Sequence, residues 1–181
     1  MILSDAAREF ILHWGEMGTR WGVNRTVAQV HALLYLSPES LTAEEIAETL
    51  SVARSNVSTS LKELQNWNLV QLENRMGDRR DFFRTSADVW TLFLTVMEQR
   101  IEREIVPTLT TLKRCVTTAR AEGPAQAVVT TRIAAMLEFL EEMHGWYTQV
   151  MKLPPATMRS LISIGSGITR VLPKAKRRRL D

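Results

Sequence analysis

A mainly α-helical fold with one short β-hairpin is predicted for this chain of 181 residues, and three observations predict it. Apolar residues recur at helical spacing through most of the sequence, interrupted at Pro107, Gly123-Pro124 and Pro154-Pro155. Two short helical patterns lie back to back around Ser51-Val52-Ala53, a break without Gly or Pro. A strand-turn-strand pattern rich in arginine follows them at residues 70 to 84.

In chain order, residues 5 to 21 and 26 to 36 have helical periodicity, the second through Val27, Val30, Leu33 and Leu34. Thr42 and Glu45 form a capping box in which each side chain satisfies the other's free backbone N–H, so a helix starts near Ala43. Ile46, Ala47 and Leu50 give that helix one apolar stripe. In the next helix Val57, Leu61 and Leu64 recur at steps of four and three and face the core. At 3.6 residues per turn, Ser55, Thr59 and Lys62 then point furthest from the core, flanked by Arg54, Asn56 and Ser58.

None of those outward residues is acidic. Hydroxyls, an amide and two cations can donate to phosphates or to base edges in a major groove, so this face has the chemistry of a recognition helix. The hairpin supports it: Val70-Gln71-Leu72-Glu73 alternates, Arg75 to Arg80 turn with Gly77-Asp78 at the tip, and Asp81-Phe82-Phe83-Arg84 returns. A hairpin with arginines at its tip is a wing, because a planar guanidinium suits a narrow, negatively charged minor groove. The fold class expected is therefore a winged helix-turn-helix DNA-binding domain with a two-stranded wing, plus long helices forming a dimerisation domain.

Val52 to Ser58, Leu61-Lys62-Glu63-Leu64, Leu69-Val70 and Gly77-Asp78-Arg79-Arg80-Asp81-Phe82-Phe83 resemble the winged helix of GbsR/MarR-type transcriptional regulators. The stretch Phe10 to Val27, with Trp14-Gly15, Met17-Gly18 and Trp21-Gly22, is similar to the GbsR branch. That resemblance implies that Asp78 and Arg80 form an Asp-x-Arg element, Asp78 bracing the wing while Arg80 enters the minor groove; the tip alone leaves Arg79 an equal candidate. It further implies a small-molecule effector such as choline or glycine betaine. A quaternary ammonium needs an aromatic cage, and Trp14, Trp21, Tyr35, Trp67, Trp90, Trp146 and Tyr147 are the rings available. Trp14 and Trp21, seven apart, lie on one helix face.

After the wing, Val89, Phe93, Met97, Ile101 and Ile105 step by four along a helix of about 18 residues that Pro107 kinks or ends. Val129, Ile133, Met136, Leu137, Leu140, Met143, Tyr147 and Val150 form a wide stripe, and Met158, Leu161, Ile162, Ile168 and Leu172 a last one. These helices carry more apolar surface than they can cover among themselves, and a homodimer covers it. A two-fold dimer also sets two recognition helices about one DNA turn apart, as a pseudo-palindromic operator on double-stranded DNA requires. The expected organisation is an N-terminal helix contributing to dimerisation over 1–25, the DNA-binding domain over 26–86, a helical dimerisation and effector domain over 87–173, and a basic tail over 174–181.

Charge distribution agrees. The net charge is +3, of which the tail Lys174 to Asp181 holds +4, either a phosphate contact or a solvated end. Residues 1–50 sum to −4, whereas Ser51 to Ser86 sum to +2, placing cations where a duplex would lie. No apolar run reaches the roughly 18–20 residues of a membrane span, and the N-terminus lacks a signal pattern, so a cytoplasmic protein is expected.

Enzymatic classes lack their motifs. His13, His31 and His144 have no zinc spacing, and Glu141-x-x-His144 is half of a di-iron motif that needs two such pairs. No phosphate-cradling Gly-rich loop or nucleophile elbow occurs, and no cofactor or metal is expected. Two rival readings stand beside a ligand-controlled repressor. One is a redox switch at Cys115, with Lys113-Arg114 stabilising a thiolate. The other is a helical protein-interaction adaptor without DNA specificity, which would need an apolar patch where the second helix shows polar donors.

Overall fold

The structure, a computed structural model, describes residues 2–154 together with 157, 158, 160 and 164. The basic tail and Leu161, Ile162, Ile168 and Leu172 of the last expected stripe lie outside the described residues. Two compact units divide the chain, Met1–Arg100 and Ile101–Asp181.

The first unit runs α1 (Asp5–Arg20), α2 (Arg25–Leu36), β1 (Leu41–Thr42), α3 (Ala43–Leu50), α4 (Arg54–Asn66), β2 (Gln71–Glu73), β3 (Phe82–Arg84) and α5 (Val89–Arg100). The capping box forms as the sequence predicts: the Glu45 N–H donates to Thr42 Oγ1 at 3.2 Å, and the Thr42 N–H to Glu45 Oε2 at 2.7 Å. That hydrogen bond from the Thr42 backbone holds the Glu45 carboxyl below its usual range. Ser51 ends α3 in the left-handed region (φ 55°), which turns the chain directly into α4.

The sheet has one strand more than the expected wing. β1 pairs antiparallel with β3 (Leu41 with Phe83, Thr42 with Phe82), giving the order β1-β3-β2, while β2 and β3 pair Gln71 with Arg84 and Glu73 with Phe82. Two residues cannot show an alternating pattern, so β1 has no signature in the sequence. It exists because Phe83 enters the core and brings its backbone alongside Leu41.

Val30, Leu33, Ile46 and Val57 are completely buried and join α2, α3 and α4, each worth about 1.5–3 kcal/mol of burial. The N-terminal helix closes on the same core through Ile11, Phe10 and Trp14. Two glycines allow its close approach: a Cβ on Gly18 would stand 2.5 Å from Ala28 Cβ, and one on Gly15 2.7 Å from Gln29 Cγ. His31 on α2 carries the wing's exit. The Thr85 hydroxyl donates its proton to the Leu69 carbonyl at 2.6 Å, so the contact at 3.3 Å between Thr85 Oγ1 and His31 Nε2 requires the imidazole to donate. Burial pushes this imidazole from its ordinary 6.5 down to about 4.

In the second unit a π-helical turn (Ile101–Ile105) leads into α6 (Val106–Ala121), and a 3-10 turn (Pro124–Gln126) into α7 (Ala127–Val150). Pro107 stands in the first turn of α6, where a missing N–H costs least, and the widened turn before it relieves the clash a proline ring makes four residues back. The α helix thus ends at Arg100, short of the 18 residues expected. α7 runs back along α6, with Lys113 Nζ 2.9 Å from Glu141 Oε1 and Leu109, Val116 and Ala119 buried. The wide stripe of α7 divides in two: Ile133, Leu137, Leu140 and Tyr147 are half-buried, whereas Val129, Met136 and Met143 are exposed. Phe139 and Trp146, outside the expected stripe, are exposed as well. Among the described residues no helix is long and apolar enough to cross a membrane.

Candidate nucleic-acid interface

Val57, Ser60, Leu61 and Leu64 fix α4 against the core with its opposite face outward. Arg54, Ser55, Asn56, Thr59 and Lys62 are exposed there and Ser58 is half-buried, so periodicity placed all six correctly. Thr59 Oγ1 donates to the Ser55 carbonyl at 3.1 Å, which leaves its oxygen lone pairs free to accept. Arg54 Nη1 is 3.2 Å from Glu44 Oε1 at the start of α3, a pair with both partners more than half exposed. Such a pair is worth about 0.2–1 kcal/mol and exchanges readily for a phosphate. The face is acid-free on its own helix, yet α3 supplies an acid beside it, which one-dimensional spacing does not reveal.

At the wing tip Gly77 takes a φ of 82°, and the Asp78 N–H donates to the Arg75 carbonyl at 3.1 Å. Asp78 accepts from the Arg80 backbone N–H (3.0 Å), from Nε and, at 2.7 Å, from Nη2. Those hydrogen bonds from the Arg80 side chain hold the Asp78 carboxyl down at about 2 and push the Arg80 guanidinium up, so both are charged at any physiological pH. Arg79, adjacent and exposed, makes no hydrogen bond or ion pair with the described residues.

Between α4 and the wing lies an open cleft of about 460 Å³, lined by Arg54, Lys62 and Gln65 on one side and Arg79 and Arg80 on the other. Gln65 at the far end of α4 was not among the expected site residues; it lies one helical turn beyond Leu61, toward the wing. Arg75 was read only as part of the turn. It donates to Ser40 Oγ at 2.8 Å and stacks 4.1 Å above the Phe82 ring centroid, contacts that no local pattern announces.

The aromatic candidates separate by place. Trp14 meets Trp21 edge-on at 6.2 Å, and Phe10 stacks on Trp14 at 5.4 Å and lies 6.3 Å from Tyr35. Trp67 caps α4 and packs on the core, and Trp90 meets Phe93 edge-on at 6.3 Å. Trp146 and Tyr147 belong to α7 in the other unit. Cys115 is half-buried on α6, and the Lys113 expected to stabilise its thiolate is paired with Glu141.

Helix-turn-helix, three-stranded sheet and arginine-tipped hairpin together define a winged helix-turn-helix protein. Residues 21–81 match the MarR family. The chain is similar to the HTH-type transcriptional repressor GbsR of Bacillus subtilis (27% identical over 93 residues, 51% of each chain) and to that organism's putative HTH-type transcriptional regulator YvaV (23% over 95 residues, 52% of this chain and 54% of the relative). These alignments span about half the length of the curated relatives. A crystal structure of a transcriptional regulator shares the fold, with a TM-score of 0.66 and 20% identity over 81% of this chain and 95% of that one. Over residues 21–81 the winged helix-turn-helix of this protein resembles that of MarR-type regulators.

Proposed function

We propose that the protein is a sequence-specific transcriptional regulator in the cytoplasm, a homodimeric repressor of a pseudo-palindromic operator, with no catalytic step of its own. The observation that carries this reading is the exposed, donor-rich face of α4 standing across a cleft from Arg79 and Arg80. α4 enters the major groove, with Asn56, Ser55 and Thr59 at base edges and Arg54 and Lys62 at phosphates, while the wing follows the backbone into the minor groove. Asp78 presets the Arg80 guanidinium, so insertion loses less side-chain freedom; Arg79, which pairs with none of the described residues, takes the neighbouring phosphate.

The dimer reading is supported by α7, whose exposed Val129, Met136, Phe139, Met143 and Trp146 follow the alternating three- and four-residue spacing of a helix seam. A repressor that responds to a ligand does so only as far as the ligand prefers a dimer with misspaced recognition helices. Choline or glycine betaine is the effector proposed, and the Trp14, Trp21 and Tyr35 group around Phe10 offers ring faces for a quaternary ammonium.

Fluorescence anisotropy with DNA from upstream of its own gene and with a scrambled duplex, across a salt series with and without either compound, tests the whole reading. Arg80→Ala is expected to lower operator affinity about tenfold while sparing scrambled DNA. Arg79→Ala should weaken both duplexes evenly and flatten the salt slope by about 0.9. The reverse pattern moves minor-groove insertion to Arg79, and no preference for the operator sinks the regulator.

A further inference from the structure

We propose that Arg75 is a positioning residue that ties the wing to the loop before β1 and so sets the wing's angle to α4, instead of serving as a third DNA-contacting arginine. By composition Arg75, Arg79 and Arg80 are three equivalent cations on one hairpin. Their surroundings differ. Arg79 makes no hydrogen bond or ion pair with the described residues, and Arg80 is held by Asp78 within its own turn. Of the three, Arg75 is the one that bonds outside the hairpin among the described residues: its Nη2 donates to Ser40 Oγ at 2.8 Å and stands 3.7 Å from Glu39 Oε2, while its guanidinium lies 4.1 Å over the ring of Phe82 on the hairpin's own return strand.

Both ends of the contact are fixed. Ser40, outside the hairpin, is buried and directly precedes β1, and Phe82, at 3% exposure, is the hairpin's own β3 residue paired with Thr42, which caps α3. The wing is otherwise joined to β1 through only the Leu41–Phe83 and Thr42–Phe82 pairs. Arg75 adds a tie from the outer end of the hairpin, and it closes the tip through its carbonyl, which accepts from the Asp78 N–H. The Arg80 guanidinium lies 5.3 Å from the same Phe82 ring, so Ser40, Arg75, Phe82 and the Arg80–Asp78 pair form one chain of contacts. A planar fork that stacks and donates at once is needed here, and lysine supplies only the charge.

The inference rests on the DNA-binding reading for its consequence, and has one readout independent of it. Arg75→Lys and Ser40→Ala in the full chain should each speed amide hydrogen exchange of residues 74–81 in the absence of DNA. Both should lower operator affinity about tenfold with the scrambled duplex and the salt slope unchanged, and the double variant should be no worse than Arg75→Lys. Two results overturn the proposal: wing exchange unaltered in Ser40→Ala, or full operator affinity in Arg75→Lys with a flatter salt slope in Arg75→Ala, which makes Arg75 a phosphate contact. A wild-type protein indifferent to sequence removes the regulator reading alone, since faster exchange in both variants still establishes the tie.

Discussion

The winged unit and the α6–α7 hairpin solve the same problem of apolar surface in opposite ways. In the first, Val30, Leu33, Ile46, Val57 and Leu61 are wholly or almost wholly buried, and that packing leaves Arg54, Ser55, Asn56, Thr59 and Lys62 of α4 exposed. In the second, α7 spans Ala127–Val150 without one buried residue, and Phe139 and Trp146 stay more than half exposed. A closed core fixes a site to within a rotamer, whereas an open seam fixes only which face a further surface must cover.

Mutations on the two sides should therefore behave differently. Leu33→Ala is expected to destabilise the winged unit by about 2–5 kcal/mol in urea unfolding, with Met136→Ala within about 0.5 kcal/mol on an isolated chain. Similar losses at both positions would erase the contrast.

Acid should act on the winged unit through His31. Its folded-state pKa of about 4 lies below the ordinary 6.5, so the unfolded chain binds the proton first as the pH falls. The stability it contributes is complete above about pH 6.5 and is lost progressively toward pH 4, in all about 3 kcal/mol. Urea midpoints at pH 7 and pH 4.5 check this against His31→Gln, which should lack that step.

Gly18→Ala should cost about 1–3 kcal/mol, since its Cβ would overlap that of Ala28 and α1 must shift away. Thermal unfolding measures it, and an unchanged midpoint would show that α1 is only loosely held. On the open side, Phe139→Ser should leave that midpoint in place yet weaken self-association about tenfold by sedimentation. If association is untouched, the α7 seam is not where copies meet.

Much of the winged unit was legible in one dimension because its signals are local. The Thr42–Glu45 box, the steps Val57-Leu61-Leu64 and the Gly77-Asp78 tip each act within four residues, so the helix starts, the outward face of α4 and the hairpin all followed. Signals between distant residues did not. β1 needs Phe83 beside it, Glu44 reaches Arg54 across the helix turn, and Arg75 finds Ser40 from 35 residues away.

The aromatic inventory shows the same limit. Spacing correctly set Trp14 and Trp21 together, because seven residues are nearly two helical turns. It had no means of placing Tyr35 near Phe10.

By itself the sequence determined the helices, their caps, the donor-rich face and the arginine hairpin, because hydrogen bonds and periodicity between near neighbours set them. Tertiary structure decided the third strand, the different surroundings of Arg75, Arg79 and Arg80, the neutral state of His31 and the division of the α7 stripe into two faces. Those depend on which distant surfaces pack, since burial and cross-chain contact are properties of the assembled core.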